Sequence, residues 1–296
     1  MNFRILVYFL TVVREGNITK AADILHITQP TLSRQLMQLE EDLGVALFNR
    51  SQHKFTLTPA GSFLVQRASD IIELVEKTEH DLKDQETNLS GTICVGAGEI
   101  ANVSLLAEII SEFQQKHPHV TFDLFTGTSD MIHERTEKGL IDIALLQEPV
   151  DLMNYSFLKW PQQEELGLLI RKDSPLAEKE YITAADLEGS RLILPSRLQL
   201  HSMLLNWLSG NIAKIRLAGT CNLLGNVFPL VEQMDACAIV VKTSQIDNSR
   251  FCFKPLQPAI STRVYLAWRS SAANSITVQK FIEFTKCFLG IKGASK

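Results

Sequence analysis

Apolar positions 5, 6, 9, 10, 12 and 13 stand at helical spacing between Phe3 and Glu15 and predict a first helix that stops at Gly16. Asn17 is placed to cap a second helix, Ile18 to Leu25, in which Ala21 and Ala22 would let another helix approach closely. After the short break His26-Ile27-Thr28-Gln29, Pro30 suits the first turn of a third helix. Thr28 or Gln29 would cap it, and it runs to about Leu43 and stops at Gly44. Leu32, Leu36, Leu39 and Leu43 form its core seam. At about 100° per residue the opposite side carries Pro30, Thr31, Arg34 and Gln38, with Ser33 at its margin. Two short apolar runs then flank Ser51-Gln52-His53-Lys54, the pattern of a small hairpin with a basic tip. Two helices joined by a tight turn and followed by such a hairpin make a winged helix-turn-helix.

The charge on this segment sharpens the picture. No acid occurs from Ile24 to Leu39 or from Leu43 to Ser69, and Arg50, Lys54 and Arg67 lie in the second stretch. The local acids, Glu40, Glu41 and Asp42, sit at the far end of the third helix. A phosphate backbone repels acids and attracts such bases, and Arg and Gln side chains can read purine edges in the major groove. On the pattern alone, a three-helix bundle with a solvated polar face accounts for the same residues.

Residues 1–67 closely resemble the LysR-type transcriptional regulator family. The likeness lies in Tyr8-Phe9-Leu10, in Ala21-Ala22-x-x-Leu25-His26-Ile27-x-Gln29-Pro30-x-Leu32-Ser33-Arg34-Gln35-Leu36, in Leu39-Glu40-x-x-Leu43-Gly44-x-x-Leu47-Phe48-x-Arg50, and in Leu57-Thr58-x-Ala60-Gly61. It extends more loosely over the rest of the chain. The resemblance implies binding to double-stranded promoter DNA, with Gln29, Pro30, Thr31, Ser33 and Arg34 toward the major groove and Arg50 and the wing tip toward the backbone. Together with the surface pattern, the candidate DNA-binding set is Thr28, Gln29, Pro30, Thr31, Ser33, Arg34, Gln38, Arg50, His53 and Lys54.

Beyond the wing, apolar residues repeat every three or four positions: Leu64, Ala68, Ile71, Val75, Leu82 and Leu89, with Thr78 and Gln85 as polar interruptions. That is a heptad seam on a long helix. Acidic and basic residues from Glu73 to Glu86 crowd its other faces. One long helix lying on the body of the protein would give the same repeat. Regulators that read two-fold symmetric sites need dimers, and in the resembled family this segment dimerises. Leu64, Ala68, Ile71, Val75 and Leu82 are therefore the candidate dimerisation residues, and Asn88 to Gly91 reads as a hinge. The expected assembly is a homodimer or a tetramer.

From Thr92 the pattern alternates strand and helix: strands at Thr92–Ala97, Val120–Phe125 and Ile141–Leu146, helices at Ser104–Lys116 and Ser129–Gly139. A similar alternation follows from Leu166 to about Val241. This predicts an α/β domain with a parallel, doubly wound sheet. The strand Val264–Trp268 and the helix Val278–Leu289 are expected to return to the first half. The resemblance implies two lobes of a periplasmic-binding-protein-like fold, with the chain crossing near 161 and 265. The expected domains are a winged helix-turn-helix at 1–59, a linker helix and hinge at 60–90, and an effector-binding domain at 91–296. Within that domain, lobe I covers about 91–161 and 266–296, and lobe II about 162–265.

Gly96-Ala97-Gly98-Glu99-Ile100-Ala101 follows a strand and precedes a helix, as does the G-x-G-x-x-A dinucleotide fingerprint. An NAD-binding oxidoreductase is the alternative it raises. Against it, the helix begins late, and Asp123 lies inside a strand rather than at its end. Ligands of open α/β sheets sit at the carboxyl ends of strands. There the chain offers Gly98, Glu99, Thr128, Ser129, Gln147, Pro195, Ser196 and Asn222, which by resemblance line a small-molecule effector cleft. Glu99 suits a ligand with donors, whereas helix N-termini suit an anion, and the two point in opposite directions.

Composition changes little in this picture. The chain has 296 residues, 45% of them hydrophobic and 21% charged, with net charge -4, so any nucleic-acid surface is local. Five cysteines with no C-x-x-C spacing read as free thiols in a reducing compartment. The N-terminal apolar run lacks a secretory cleavage pattern and no stretch spans a bilayer, so a cytoplasmic protein with no membrane partner is expected. His117-Pro118-His119 reads as a solvated turn rather than a metal site, and no catalytic constellation stands out. The chain is thus expected to be a non-enzymatic regulator with no cofactor, and RNA polymerase is a further candidate partner.

Overall fold

The computed structural model describes residues 2–51, 54–81, 89–208, 210–243, 245–270 and 274–290. They form two compact units, Met1–Leu82 and Lys83–Lys296.

In the first unit, Asn2 Oδ1 accepts the Ile5 N–H at 2.9 Å and starts α1 (Phe3–Glu15), which ends at left-handed Gly16. Asn17 accepts the Thr19 and Lys20 N–H groups to start α2 (Ile18–Ile24). His26, at φ 53°, turns the chain into α3 (Gln29–Leu43), which Gly44 stops at φ 68°. Thr28 is the N-cap residue of α3, but its hydroxyl bonds to Thr31 Oγ1 at 2.8 Å instead of to the backbone. β1 (Phe48–Ser51) and β2 (Lys54–Leu57) pair antiparallel as a two-stranded wing. Thr58 Oγ1 then accepts the Gly61 N–H at the start of α4 (Pro59–Asp81).

Phe9, Val12, Ala21, Leu32, Leu36, Leu39 and Leu47 make the core of this unit. Leu43, expected in the same seam, is 38% exposed at the last position of α3 before Gly44. The first half of α4 belongs to the core as well: Ala68 is fully buried in it, and Leu64, Val65 and Ile72 pack against it.

The second unit holds two five-stranded sheets. In chain order it runs β3 (Gly91–Ala97), α5 (Val103–Lys116), β4 (Val120–Thr126), α6 (Ser129–Glu137), β5 (Ile143–Gln147), β6 (Tyr155–Lys159) and β7 (Glu164–Arg171). Two short 3₁₀ turns follow, then β8 (Arg191–Pro195), α7 (Leu198–Trp207), β9 (Arg216–Cys221), α8 (Val227–Met234), β10 (Cys237–Val241), β11 (Phe251–Thr262), β12 (Val264–Arg269) and α9 (Ile276–Phe288). The sheet orders are β4-β3-β5-β12-β6 and β11-β7-β10-β8-β9. The chain leaves the first sheet after β6 and returns to it between Thr262 and Val264.

The sheets are mixed, not parallel throughout. β4, β3 and β5 run parallel, as do β9, β8 and β10, but β12 and β7 run antiparallel to their neighbours in these sets. Both reversed strands begin where the chain crosses between lobes, at the carboxyl ends of the parallel strands, so they must run away from that end. β11, which no alternation pattern predicts, pairs with β7 along the edge. Each lobe has its own core, around Phe113, Phe281 and Leu266 in one and Leu166, Leu204 and Ile239 in the other.

Candidate functional site

Two surfaces carry candidate chemistry. On α3 the side chains of Pro30, Thr31, Arg34 and Gln38 are exposed, while Gln29 and Ser33 are half-buried. Arg34 forms no ion pair among the described residues. Gln38 Nε2 donates to Asp42 Oδ1 at 3.0 Å, so it is partly occupied. Gln35 and Met37 are exposed on the same helix and were not singled out in the sequence. Glu40 is turned away from this face: its Oε1 accepts the Leu47 and Phe48 N–H groups at 2.7 and 3.1 Å, which fixes the start of the wing. In the wing, β1 contains Arg50 and β2 begins at Lys54. His53, the remaining residue of the DNA-binding set, lies outside the described residues.

The second surface is a cavity of about 110 Å³ between the two lobes of the second unit. All eight residues expected at strand ends (Gly98, Glu99, Thr128, Ser129, Gln147, Pro195, Ser196 and Asn222) line it. Several already have partners. The Ser129 hydroxyl accepts the Gln147 N–H at 3.2 Å, and Gln147 Nε2 donates to Thr262 Oγ1 at 2.6 Å, tying β5 to the end of β11. Thr128 Oγ1 accepts the Met131 N–H and caps α6. Glu99 Oε2 accepts the Leu224 N–H across the cleft.

Two further residues close the cleft. Arg197 is only 7% exposed and reaches from the second lobe into the first. Its guanidinium donates to Gln147 O at 2.9 Å, to Glu148 O at 3.3 Å and to Pro149 O, and pairs with Asp130 at 3.2 Å. Glu164, 1% exposed at the first crossing, accepts the Asn102 N–H at 2.9 Å, the Asn102 Nδ2–H at 2.5 Å and the Ala101 N–H at 3.4 Å. Burial raises its carboxyl above 4.5, although these donors pull the other way.

The G-x-G-x-x-A segment therefore performs other work. A dinucleotide fingerprint needs free amides at the helix N-terminus for a pyrophosphate, and here Glu164 holds them. Gly96 is small because Ile132 and Ile141 press on the strand: a Cβ there would lie 2.6 and 2.8 Å from their side chains. Asp123 is exposed on the edge strand β4. Among the described residues no cluster of His, Cys, Asp and Glu could hold a metal, and no helix is long and apolar enough to cross a membrane. The His117 ring packs on Phe113, 4.6 Å between centroids. No disulfide joins the five cysteines.

A family model described as LysR substrate binding domain matches residues 86–289, and one described as bacterial regulatory helix-turn-helix protein, lysR family, matches residues 3–62. The chain belongs to the LysR family of transcriptional regulators. It is similar to the HTH-type transcriptional regulator YtlI of Bacillus subtilis (strain 168), 31% identical over 225 residues, 74% of this chain and 72% of that one. BsdA of the same organism, also an HTH-type transcriptional regulator, is 37% identical over 146 residues, 49% of this chain and 50% of the other. Full-length CbnR complexed with its target DNA shares the fold, with TM-score 0.74 at 23% identity over 97% of this chain and 99% of that chain. Full-length BenM has TM-score 0.52 at 25% identity, covering all of both chains.

This LysR regulator thus joins a DNA-binding head to an effector-binding domain. Within the head, the seam read as a dimer contact divides. Ala68 is fully buried and so is not free for a second copy, whereas Leu64 is half-buried against the head's own core. Ile71 is 39% exposed, Val75 is half-buried, and Phe63 and Leu74 are exposed on the same helix. Leu82 lies outside the described residues. The heptad repeat could not separate these roles, because an apolar residue at the right spacing serves either contact. Arg197 and Glu164 carried no sequence signal beyond their position, one just after a strand end and the other at a lobe crossing.

Proposed function

We propose that this regulator reads promoter DNA by laying α3 in the major groove, with Thr28, Gln29, Pro30, Thr31, Ser33, Arg34 and Gln38 on the reading face. Arg50, His53 and Lys54 of the wing contact the phosphate backbone. The observation that carries this is the exposed face of α3, free of acids as far as Leu39, with Arg34 forming no ion pair among the described residues, a surface matched to a polyanion with readable base edges. The regulator works in the cytoplasm as a homodimer or a tetramer, with two heads on a two-fold symmetric site. It acts by binding rather than catalysis, and RNA polymerase is a further partner.

The cavity between the lobes holds the effector, a small molecule whose differential affinity for two arrangements of the domain shifts DNA binding. Eight strand-end residues converging on one cavity support this, since open α/β sheets bind ligands there. The test is fluorescence anisotropy with duplexes from the regulator's own promoter region and with scrambled duplexes of equal length, from low to moderate salt. Preference for the promoter duplex and affinity falling steeply with salt are expected. Equal, weak binding to both duplexes would remove α3 from the reading role.

A further inference from the structure

The charge of the effector is open from sequence, because Glu99 and the helix N-termini favour opposite signs. The structure separates the two signals at the starts of α5, α6 and α8. The amides before α5 are held by Glu164. At α6, Thr128 takes the Met131 N–H, and Asp130 in the first turn is paired with Arg197. The Leu224 N–H before α8 is taken by Glu99 itself.

The charged residues of the lining are Glu99 and Arg197. Every nitrogen of Arg197 is engaged with the first lobe, and Asp130 balances its charge. Glu99 makes no ion pair among the described residues, and its one described hydrogen bond uses Oε2. The remaining wall is largely apolar, with Ile100, Leu145, Ile193, Leu200 and Val227 upon it. A carboxylate entering this space would meet an uncompensated carboxylate and no free cation, whereas an ammonium would find both an acceptor and a countercharge.

We infer that the effector is a small apolar molecule bearing an ammonium group, received by Glu99 Oε1 while Oε2 keeps its bond across the cleft. This rests on the effector reading of the cavity given above. The test uses the full chain with two probes of equal shape, 3-methylbutylamine and 3-methylbutanoate, at matched ionic strength. Binding is followed by calorimetry and by thermal shift.

The amine is expected to bind and to raise the melting temperature. Its affinity should fall at least tenfold in Glu99→Gln, whose amide oxygen can still accept the Leu224 N–H, with circular dichroism confirming the fold. The carboxylate is expected to leave the protein unchanged. Carboxylate binding as tight as the amine's, or amine binding unaffected by Glu99→Gln, overturns the ammonium assignment and leaves the cleft as an effector site. Silence from both probes overturns the assignment and counts against the cleft reading as well.

Discussion

A methyl group on Gly61 would stand 2.2 Å from the carbonyl oxygen of Leu47 and 2.9 Å from Leu57 Cδ2. The first obstacle is backbone, so it cannot swing aside. Gly61→Ala is expected to destabilise the head by about 1–3 kcal/mol, as overpacking does, read as a lower urea midpoint. Arg34 sits at the other extreme, exposed and free of ion pairs among the described residues. Arg34→Ala is expected to weaken specific DNA binding by about 1–3 kcal/mol if the guanidinium reads a base, with little change on a scrambled duplex. An equal loss on both duplexes would assign Arg34 to the phosphates. Arg34 was legible because charge and helical phase are both written in the chain. The reason for Gly61 was not, since Leu47 approaches it only in three dimensions.

Elements turn on where their ends and faces are spent. The second half of α4 presents Ile71 and Leu74, 39% and 41% exposed, on an otherwise charged helix. Ile71→Asp is expected to convert the assembly to monomers in analytical ultracentrifugation, and an unchanged sedimentation coefficient would move the self-contact elsewhere. In the second lobe a short 3₁₀ turn is held by a capping box, in which Asp186 accepts from the Thr183 backbone and hydroxyl at 2.8 and 2.7 Å. That backbone donor first, then the Lys179 side chain, lowers the Asp186 carboxyl from 3.8 to about 2.

A carboxyl held below its unfolded value stabilises the fold above that value and loses its contribution as pH falls through the folded one. The Asp186 contribution is therefore full above about pH 4 and fades toward pH 2. Asp186→Asn should cost about 1 kcal/mol at neutral pH, with the gap to the natural chain closing in acid. A gap constant down to pH 2 would show that the cap does not depend on charge.

Across the second unit, the two lobes are joined by backbone at two crossings and by side chains at the cleft. Arg197 is the most connected of the latter: it is buried, comes from one lobe and satisfies three carbonyls and a carboxylate of the other. Arg197→Leu would strand those acceptors, at about 1–3 kcal/mol for a buried group left unpaired. The expected result is a lower melting temperature together with a larger radius of gyration in small-angle scattering. A lower melting temperature with unchanged dimensions would mean that the residue supports its own lobe rather than the junction.

The sequence by itself determined the helices of the head, their caps and stops, and the phase of the exposed face of α3. Asn17, Gly16, Gly44 and the Leu32-Leu36-Leu39 seam act within a few residues of chain, where hydrogen bonds and helical period decide. It also placed the strand ends that line the cleft, because alternating strands and helices put their loops at one edge of a sheet. Tertiary structure alone decided the reversed strands β7 and β12, the burial of Ala68, and which charges at the cleft are already spent. Glu164 meets Asn102 across 62 positions of chain, and Arg197 meets Gln147 across 50. Partners that distant leave no mark on the local pattern of either residue, and only the closed fold shows that Glu99 is the charge left over.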